Sequence, residues 1–536
     1  MTHLIAVSVG PVQDFIAAAR RTRDLWFGSW LLSEISKAVA ASLSGKGATL
    51  IFPPPEADLR PGSEFTVVNK LLAVIDSEDM LGVAGDLKRA AQGRLEAELV
   101  VAQRNLTRRG LAIDTATAKE QLRGLLEVYC VWTPYDKHRH GDGRRRVDEL
   151  SAARKNLRDV GKYSGRAGVP KSSLDGARES VIREPRPPKL YETSIKRDEY
   201  LDAVGVLKRF GGTEPPKFES TLDVAGVPYA MRVEAQCPDL YEQYVELAGS
   251  KDNRALLYDH ESRQVLGDPG EMSAELAAKL KALRQRLPKP APPYYGLLLG
   301  DGDKMGEAIS KIGSLPEHQR FSKRLSEFAA QANTIIDRLG GCPVYTGGDD
   351  VMALLPLHTA LECARQVNQA FREAMTDYRC TFSAGLAVAH ALEPLSEVRE
   401  IARRAEKQAK NEGGRDALAM IVSPRSGAEV GSVGKWGAFV PLLTQILDLY
   451  QADRLSAGVA YELRALARRT GKRTNFVLDD VLPKMAAAIA EKKRCRAELE
   501  PLLQDRDTRG KLEDLVDAML VARPLARSMK EASSRG

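Results

Sequence analysis

The chain has 536 residues, of which 43% are hydrophobic and 28% are charged, and its formal net charge is +7. This composition is ordinary for a folded globular protein and excludes a disordered or fibrous chain. The length predicts about three or four domains, and the modest positive charge favours a polyanionic partner such as RNA or a nucleoside triphosphate.

The cysteines and the amino-terminal stretch bear on metal sites, disulfides and cellular location. The six cysteines are scattered without a Cys-x-x-Cys pair, so neither a zinc knuckle nor a disulfide framework is expected. The stretch from Met1 to Phe15 lacks the basic region and the long apolar run of a secretory signal. No segment approaches the roughly 20 apolar residues that cross a bilayer. We therefore expect a cytoplasmic protein without membrane contact.

The chain opens with a predicted strand, turn and helix. The letters "LIAVSV" predict the strand, "GPVQ" the turn, and the amphipathic run "DFIAAARRTRDLW" from Asp14 the start of the helix. The same order recurs from Tyr294, with "YYGLLLG" as the strand, "DGDKMG" as the turn and "HQRFSKRLSEF" in the helix. This internal similarity predicts a duplicated unit, of which only the second copy carries clustered aspartates.

Two basic segments lie outside the repeated strand, turn and helix. The segment "KHRHGDGRRR" from Lys137 predicts a loop that leads into a helix, and "RALARRTGKR" from Arg464 lies among residues with helical spacing. Their charge fits RNA phosphates or the acidic face of a partner, and a solvated charged surface is the alternative. Proline-rich stretches between residues 183 and 220 predict a domain edge, and the chain beyond Val440 predicts a helical bundle.

The stretch "CPVYTGGDDVMALLP", from Cys342 to Pro356, predicts a hairpin between two short buried strands. Gly347 and Gly348 permit a tight turn and let a ligand approach the backbone closely. Asp349 and Asp350 then lie at the tip as adjacent carboxylates. An ordinary turn whose aspartates cap backbone amides remains the alternative.

Asp301 and Asp303 follow an apolar strand, at the kind of sheet edge where ligands of open α/β sheets bind. Two acids at a strand end and two at a nearby hairpin tip suit a two-metal phosphoryl-transfer site, because carboxylate oxygens bind and bridge Mg²⁺ ions. We expect the four carboxylates to converge. Turn stabilisation by Asp301 and Asp303 is the alternative.

The helix "LSEVREIARRAEKQAKNEGG" ends near two basic residues. Lys410 lies in its last turn and Arg415 lies just beyond it, so both side chains are candidates for binding phosphate oxygens. A solvated helix end with favourably placed positive charges is the alternative.

Several stretches together resemble the nucleotide cyclase domain of the large subunit of type III CRISPR effector complexes, most closely the Cmr-type (III-B) version. They are "DGDKMG", "VYTGGDDVMALLP", "FSAGLAVAHALEPL", "ARRAEKQAKNEGGRDAL" and "SPRSG". The stretches "VGPVQDFIAAARRTRDLWFGSWLLSEIS", "NKLLA" and "YLDAVGVLKRFGG" resemble the first Palm domain of that subunit. The resemblance runs in order from Leu4 to Trp436. The second copy is more distantly similar to diguanylate cyclase and polymerase Palm domains.

The resemblance implies an α+β fold in which two ferredoxin-like, GGDEF/cyclase-like Palm domains share one chain with a helical insert and a C-terminal helical bundle. The expected division is a first Palm domain at 1–205, a small helical linker domain at 206–290, a second Palm domain at 291–437 and a helical domain at 438–536.

The resemblance also implies an activity. Two ATP molecules would lie between the Palms, with Mg²⁺ or Mn²⁺ on the second Palm only. The 3′-hydroxyl of one ATP attacks the α-phosphate of the other, pyrophosphate leaves, and repeated steps give cyclic oligoadenylate. The expected partners are the other subunits of a Cmr-type complex, the guide RNA and the target RNA. An idle RNA-binding scaffold and a stand-alone cyclase are the alternatives.

Residue roles follow from the resemblance by position. Asp301, Asp349 and Asp350 are the expected catalytic residues, and Asp303 joins them as a metal ligand or support. The sequence departs from the pattern of this family in two ways. No histidine is followed by aspartate, which implies no HD nuclease activity. The cysteine pairs that would hold a structural zinc ion are missing, so no structural zinc is expected. The expected nucleotide-binding residues are Gly347, Gly348, Ser383, Lys410, Arg415, Lys304, Gln13, Arg20 and Arg21.

Overall fold

The fold is seen in a computed structural model of the whole chain. Among the described residues, no helix combines the length and the apolar character that crossing a membrane requires. The described residues are 1–12, 15–16, 18–157, 165–183, 195, 199–212, 219–258, 274–425, 427–470, 478–504 and 512–533.

The first sheet has four antiparallel strands in the order β2-β3-β1-β4. This is the strand order of a ferredoxin-like Palm. Its central strand is rich in branched residues, and Leu4, Ile5, Val7 and Val9 are all buried. The strands are β1 (Thr2–Gly10), β2 (Thr49–Phe52), β3 (Lys70–Asp76) and β4 (Glu127–Pro134).

The first long helix of this Palm begins later than the sequence pattern predicts. The long helix expected from Asp14 begins at Thr22, with Arg21 as its N-cap and Asp24 accepting from the Arg21 backbone amide. Arg20 and Arg21 therefore precede the helix and do not lie on its face. The helices are α1 (Thr22–Gly45), α2 (Met80–Thr107), α3 (Thr115–Arg123) and α4 (His140–Asn156).

The basic segment from Lys137 is mostly helical, which corrects the expectation of a loop. Its arginines pair with acids one turn away in α4, for example Arg144 with Asp148 at 2.6 Å and Arg145 with Asp142 at 3.2 Å. These ion pairs follow the i,i+3 and i,i+4 spacing of helix neighbours, so much of the positive charge is already matched.

Short helices connect the two sheets. The first of them, Ala203–Phe210, is buried along its whole length and packs on α1 and α2, so the boundary expected between residues 205 and 206 falls inside a helix of the first Palm. The connecting helices are α5 (Ala203–Phe210), α6 (Thr221–Ala225), α7 (Val227–Gln236), α8 (Pro238–Ala248) and α9 (Ala274–Arg284).

The second sheet has six strands in the order β10-β9-β8-β5-β7-β6. Its β8-β5-β7-β6 portion repeats the order of the first sheet, and β9 then pairs with β8 in parallel. The strands are β5 (Tyr294–Asp303), β6 (Cys342–Gly347), β7 (Asp350–Pro356), β8 (Thr381–His390), β9 (Ala417–Ser423) and β10 (Val430–Lys435).

Helices cover both faces of the second sheet. Leu298, Val351 and Phe371 belong to one buried cluster, whereas Tyr295 and Leu297 belong to another that continues into the first Palm. This alternation along β5 is what a strand buried on both faces requires. The helices are α10 (Met305–Ser310), α11 (Leu315–Arg338), α12 (Leu357–Ala374) and α13 (Leu395–Asn411).

The C-terminal helices share the core of the second Palm, since Leu443 and Met519 lie in the same cluster as Leu298. The boundary expected between residues 437 and 438 falls inside the first of these helices, and the four-part division stays a proposal. The predicted α+β fold class with paired Palm sheets is confirmed. The helices are α14 (Trp436–Gln451), α15 (Ala457–Thr470), α16 (Leu478–Lys492), α17 (Arg496–Gln504) and α18 (Leu512–Ala532).

The two Palms meet through a buried pair of histidines. His140 Nε2 lies 3.0 Å from His318 Nδ1, and the Tyr135 hydroxyl lies 3.0 Å from His140 Nδ1. The ring of Phe52 packs edge-on against His318 at 5.3 Å. A chain of polar contacts thus links α4 of the first Palm to α11 of the second.

Candidate active site

A glycine allows the end of β5 to lie against the β6–β7 hairpin. A Cβ atom placed on Gly302 would lie 2.8 Å from the Cβ atom of Asp349 and 2.8 Å from the ring of Phe371, closer than Cβ atoms approach in practice. Because glycine leaves this space, the hairpin tip with Asp349 comes beside the strand end with Asp301 and Asp303. The two segments that were expected to meet do lie together.

Asp303 supports the strand end from inside. Its side chain has no exposed surface. Its oxygens accept hydrogen bonds from Ser383 Oγ at 2.9 and 2.8 Å, Thr381 Oγ1 at 2.9 Å and the Asp416 backbone amide at 3.0 Å. These contacts fix the Asp303 carboxylate inside the fold, with Ser383 as one of its partners. The expected roles of Asp303 as a metal ligand or support and of Ser383 as a nucleotide-binding residue stay predictions.

Lys410, in the last turn of α13, pairs with Asp301 and, at 2.5 Å, with Glu406 one turn earlier. Burial lowers the pKa of Lys410, but hydrogen bonds with Asp301 and Glu406 more than offset this and raise it above its usual value. The ammonium group is therefore charged at neutral pH. Each of the three side chains keeps between 20% and 28% of its surface exposed, so an incoming ligand can reach Lys410.

Asp349 and Asp350 hold protons more tightly than ordinary aspartates. Burial, followed by the charge of Asp301, raises the pKa of Asp349 to about 6. Burial, the charge of Asp349 and a hydrogen bond with Asp301 raise the pKa of Asp350 well above its usual value. By surface area Asp349 is half-buried and Asp350 is exposed. Both carboxyl groups therefore face an opening whose protein walls still reduce their solvation.

The first Palm contributes to this opening. Gly348 has a φ of +63°, and a Cβ atom there would lie 3.3 Å from Val68 Cγ1, so the hairpin tip touches the segment that leads into β3. The positive charge of Lys70, the first residue of β3, offsets part of the rise in the pKa of Asp349. At Gly347 a Cβ atom would meet the Tyr345 hydroxyl at 2.5 Å. The tight turn therefore needs both glycines.

The other expected nucleotide-binding residues differ in their surroundings. Lys304 is exposed and is the N-cap residue of α10, with a φ of 59°. Arg415 is 53% exposed, and its Nε lies 3.9 Å from Asp303 Oδ1. Arg21 lies 3.9 Å from Glu199 within the first Palm. Arg20 is exposed beside it, and Gln13 lies outside the described residues.

The donor chemistry of the opening suits a hard divalent cation. Within the described part of the chain, no three or more His, Cys, Asp or Glu side chains are already gathered as a metal site. Lys410 instead supplies the positive charge beside Asp301. The charges of Asp301, Asp349 and Asp350 act on one another, and Mg²⁺ or Mn²⁺, which bind carboxylate oxygens, would relieve that repulsion. The residues therefore fit such an ion once Lys410 releases Asp301.

Three residues of the site escaped the sequence analysis. Glu406 precedes Lys410 by four residues, and this ion-pair spacing was a usable signal. Thr381 faces Asp303 across the β5–β8 pair, which depends on a register that one sequence does not reveal. Lys70 comes from the other Palm, and nothing in its neighbourhood along the chain indicates the contact.

Comparisons with known proteins agree with this architecture. Residues 294–419 match the family "Cas10/Cmr2, second palm domain", and residues 4–104 match "CRISPR-associated protein Cmr2, N-terminal". The CRISPR system Cmr subunit Cmr2 of Pyrococcus furiosus is 30% identical over 196 residues, which cover 31% of this chain and 22% of that relative. The alignment thus spans less than a quarter of the relative.

Solved structures share the fold at low sequence identity. A cryo-EM structure of type III-B Cmr-beta in the apo state matches with a TM-score of 0.64 and 11% identity, covering 98% of this chain and 82% of that one. A crystal structure of a Csm1-Csm4 cassette in complex with cA4 matches with a TM-score of 0.53 and 14% identity, covering 98% and 69%.

The matches therefore place residues 294–419 in the class of Cas10/Cmr2 second palm domains, and the four-stranded Palm-like sheet precedes them in the chain. Within that class, the family whose model matches the amino-terminal residues and the curated relative are both Cmr2.

Proposed function

We propose that this chain is a metal-dependent nucleotidyltransferase that joins ATP through 3′-5′ phosphodiester bonds into cyclic oligoadenylate. It works in the cytoplasm as the large subunit of a Cmr-type CRISPR effector complex, where it helps to hold guide and target RNA. The observation that carries the proposal is the meeting of Asp301, Asp349 and Asp350 at an opening that Lys410 and Lys70 also face.

Each side chain has a distinct task. Asp301, Asp349 and Asp350 would hold Mg²⁺ or Mn²⁺, which would supply neutralisation of the triphosphate charge and a lower pKa for the attacking hydroxyl. Without a nucleotide, Lys410 pairs with Asp301. When ATP binds, Lys410 leaves Asp301 and pairs with phosphate oxygens. Gly348 carries no side chain that would block the approach of a nucleotide.

Related structures motivate the choice of substrate. Csm1-Csm4 cassettes that share this fold have been solved with cA4, with pppApA and with one ATP. The raised pKa values of Asp349 and Asp350 favour an active site over an idle scaffold, because clustered carboxylates repel one another unless a cation or proton joins them.

The test is pyrophosphate release by the purified complex with ATP, Mg²⁺ or Mn²⁺, and matching target RNA. Asp349→Ala combined with Asp350→Ala should reduce release to background. Glu362→Gln, which changes an exposed acid paired with Arg365 on α12, is the matched control and should leave release unchanged.

Mass spectrometry of the product identifies the nucleotide that is made. Release without target RNA would favour a stand-alone cyclase, and no release from the intact complex would favour the RNA-binding scaffold. Equal pyrophosphate output from the double variant and the parent would reject the assignment of the carboxylates.

A further inference from the structure

A second cavity lies at the opposite end of the second sheet from the carboxylates. It has a volume of about 720 Å³, and its walls come from α15, α18, the β9–β10 connection and the start of β5. Tyr294 begins β5 and Asp303 ends it, so this ten-residue strand separates the two places by about 30 Å. The cavity is therefore distinct from the proposed catalytic site.

Four arginines border this cavity. Arg464 and Arg468 are one turn apart on α15, and Arg523 and Arg527 are one turn apart on α18. Among the described residues, Arg464, Arg468 and Arg527 make no hydrogen bond or ion pair, although the charge of Asp517 acts on the first two. One acid thus faces two of these arginines, whereas Arg144, Arg145 and Arg146 of α4 each form an ion pair within their own helix.

The acid in the cavity wall is already engaged. Glu531 lies 3.6 Å from Arg232, and it accepts a hydrogen bond from the Ala291 backbone amide at 3.0 Å. It therefore does not neutralise the four arginines of the rim.

An exposed aromatic ring completes the rim. Tyr461 is 51% exposed, the guanidinium of Arg523 lies 5.4 Å from its ring centre, and Arg523 Nη1 donates to its hydroxyl at 2.9 Å. Pro424 and Leu357 give the cavity an apolar wall. Arginines bind phosphate in a planar fork, and tyrosine faces stack on bases, so the two parts of the cavity suit the two parts of a nucleotide.

We propose that this cavity binds a nucleotide, with its phosphate on Arg464, Arg468 and Arg527 and its base against Tyr461. The nucleotide is either free in solution or one unit of a single RNA strand. An acidic protein segment fits less well, because it would leave the exposed ring and the apolar wall without a matching group. The inference stands whether or not the catalytic proposal is correct.

The test measures binding to the full chain that carries Asp349→Ala and Asp350→Ala, so that the proposed catalytic site contributes little. The probes are a fluorescent single-stranded RNA of about twelve nucleotides, long enough for one binding groove, and AMP or ATP as competitors. Arg464→Ala with Arg468→Ala should weaken binding about tenfold or more, since each lost bond involves a charge. Strong competition by AMP indicates the free nucleotide, and its absence indicates the RNA strand.

Matched variants distinguish binding at this cavity from a general effect of positive surface charge. Arg365→Ala with Arg403→Ala removes the same charge from exposed helix positions and should leave affinity nearly unchanged. Tyr461→Phe should bind like the parent and Tyr461→Ala should bind more weakly, because stacking needs the ring and not the hydroxyl.

Cross-linking places the ligand independently of affinity. An azido-adenine nucleotide or a thiouridine-containing RNA should label peptides from α15 or α18. The proposal is overturned if neither probe binds, if the two arginine double variants lose equal affinity, or if labels fall only elsewhere. The proposal is also overturned if a polyglutamate peptide binds as tightly as the nucleic acid and Tyr461→Ala does not weaken binding of that peptide.

Discussion

The two Palm sheets share one order over four strands, but their first strands end differently. In the first Palm, β1 ends at Gly10 and is followed by Pro11, whereas in the second Palm β5 ends with Asp301, Gly302 and Asp303. The scaffold alone therefore does not make a site. The chemistry depends on a few residues at one strand end and one hairpin tip, and on how closely those two segments approach.

The first Palm nevertheless has a part in the site of the second. It presents Val68 to the hairpin tip at Gly348, and the charge of Lys70 acts on Asp349. One copy thus supplies the carboxylates, and the other supplies a wall and a cation. The comparison can be tested by changing matched positions in the two Palms.

The largest effect is expected from removing the strand-end carboxylate. Asp301→Ala should lower pyrophosphate release by about a thousandfold, because a preorganised charge at the triphosphate is lost. The matched change in the first Palm is Glu127→Gln, at the residue that faces Gly10 across the β1–β4 pair. It should change the rate by less than about twofold. Similar losses of pyrophosphate release in the two variants would show that catalysis does not depend on the second Palm alone for its strand-end carboxylate.

The two strand-end glycines give a second comparison. Gly302→Ala places a methyl group 2.8 Å from the Cβ atom of Asp349, so the hairpin must move, and we expect about a hundredfold loss of activity. Gly10→Ala places its methyl group 3.8 Å from Glu127, an ordinary contact, and should be tolerated. Steady-state rates and thermal melting of both variants distinguish a displaced site from a general loss of folding.

Acid should weaken the junction of the two Palms. Burial, followed by the charges of His140 and Arg144, lowers the pKa of His318 to about 3, and burial also lowers that of His140. Above about pH 6.5 neither the folded nor the unfolded chain protonates His318, so no stability is lost. Below that pH the unfolded chain binds a proton that the folded chain excludes. The free energy of unfolding should therefore fall by about 2 kcal/mol by pH 5.

Denaturant unfolding between pH 5 and pH 8 measures this dependence. His318→Gln should flatten it, whereas His138→Gln, which changes an exposed histidine in the same segment as His140, should leave it as in the parent. An unchanged dependence in the His318 variant would mean that the junction does not control the acid response.

The smallest effect is expected at Lys70. Lys70→Ala removes one partly screened charge from the opening and should reduce pyrophosphate release about tenfold. Lys70→Arg should retain most of the rate because it keeps the charge. Lys46→Ala, at a lysine of the same Palm that pairs with Asp86, is the control. If Lys70→Ala behaves like that control, the first Palm supplies only a wall.

The site was partly predictable because some of its signals are local in sequence. Gly347 and Gly348 beside Asp349 predict a tight acidic turn, and Asp301 after an apolar run predicts a strand-end acid. The enclosure of Asp303 was not predictable, because Ser383 and Thr381 reach it across strands whose register depends on the whole sheet.

The sequence by itself determined the elements whose causes are short-range: the branched runs of both sheets, the glycine turns, the acidic hairpin and the duplicated order of strands and helices. Only the tertiary structure decided which distant groups meet, including Lys70 with Asp349, His140 with His318 and the arginines of α15 with those of α18. The physical reason is that strand and turn preferences act over a few residues. Burial, charge pairing and steric space depend on neighbours that the chain brings together only when it folds.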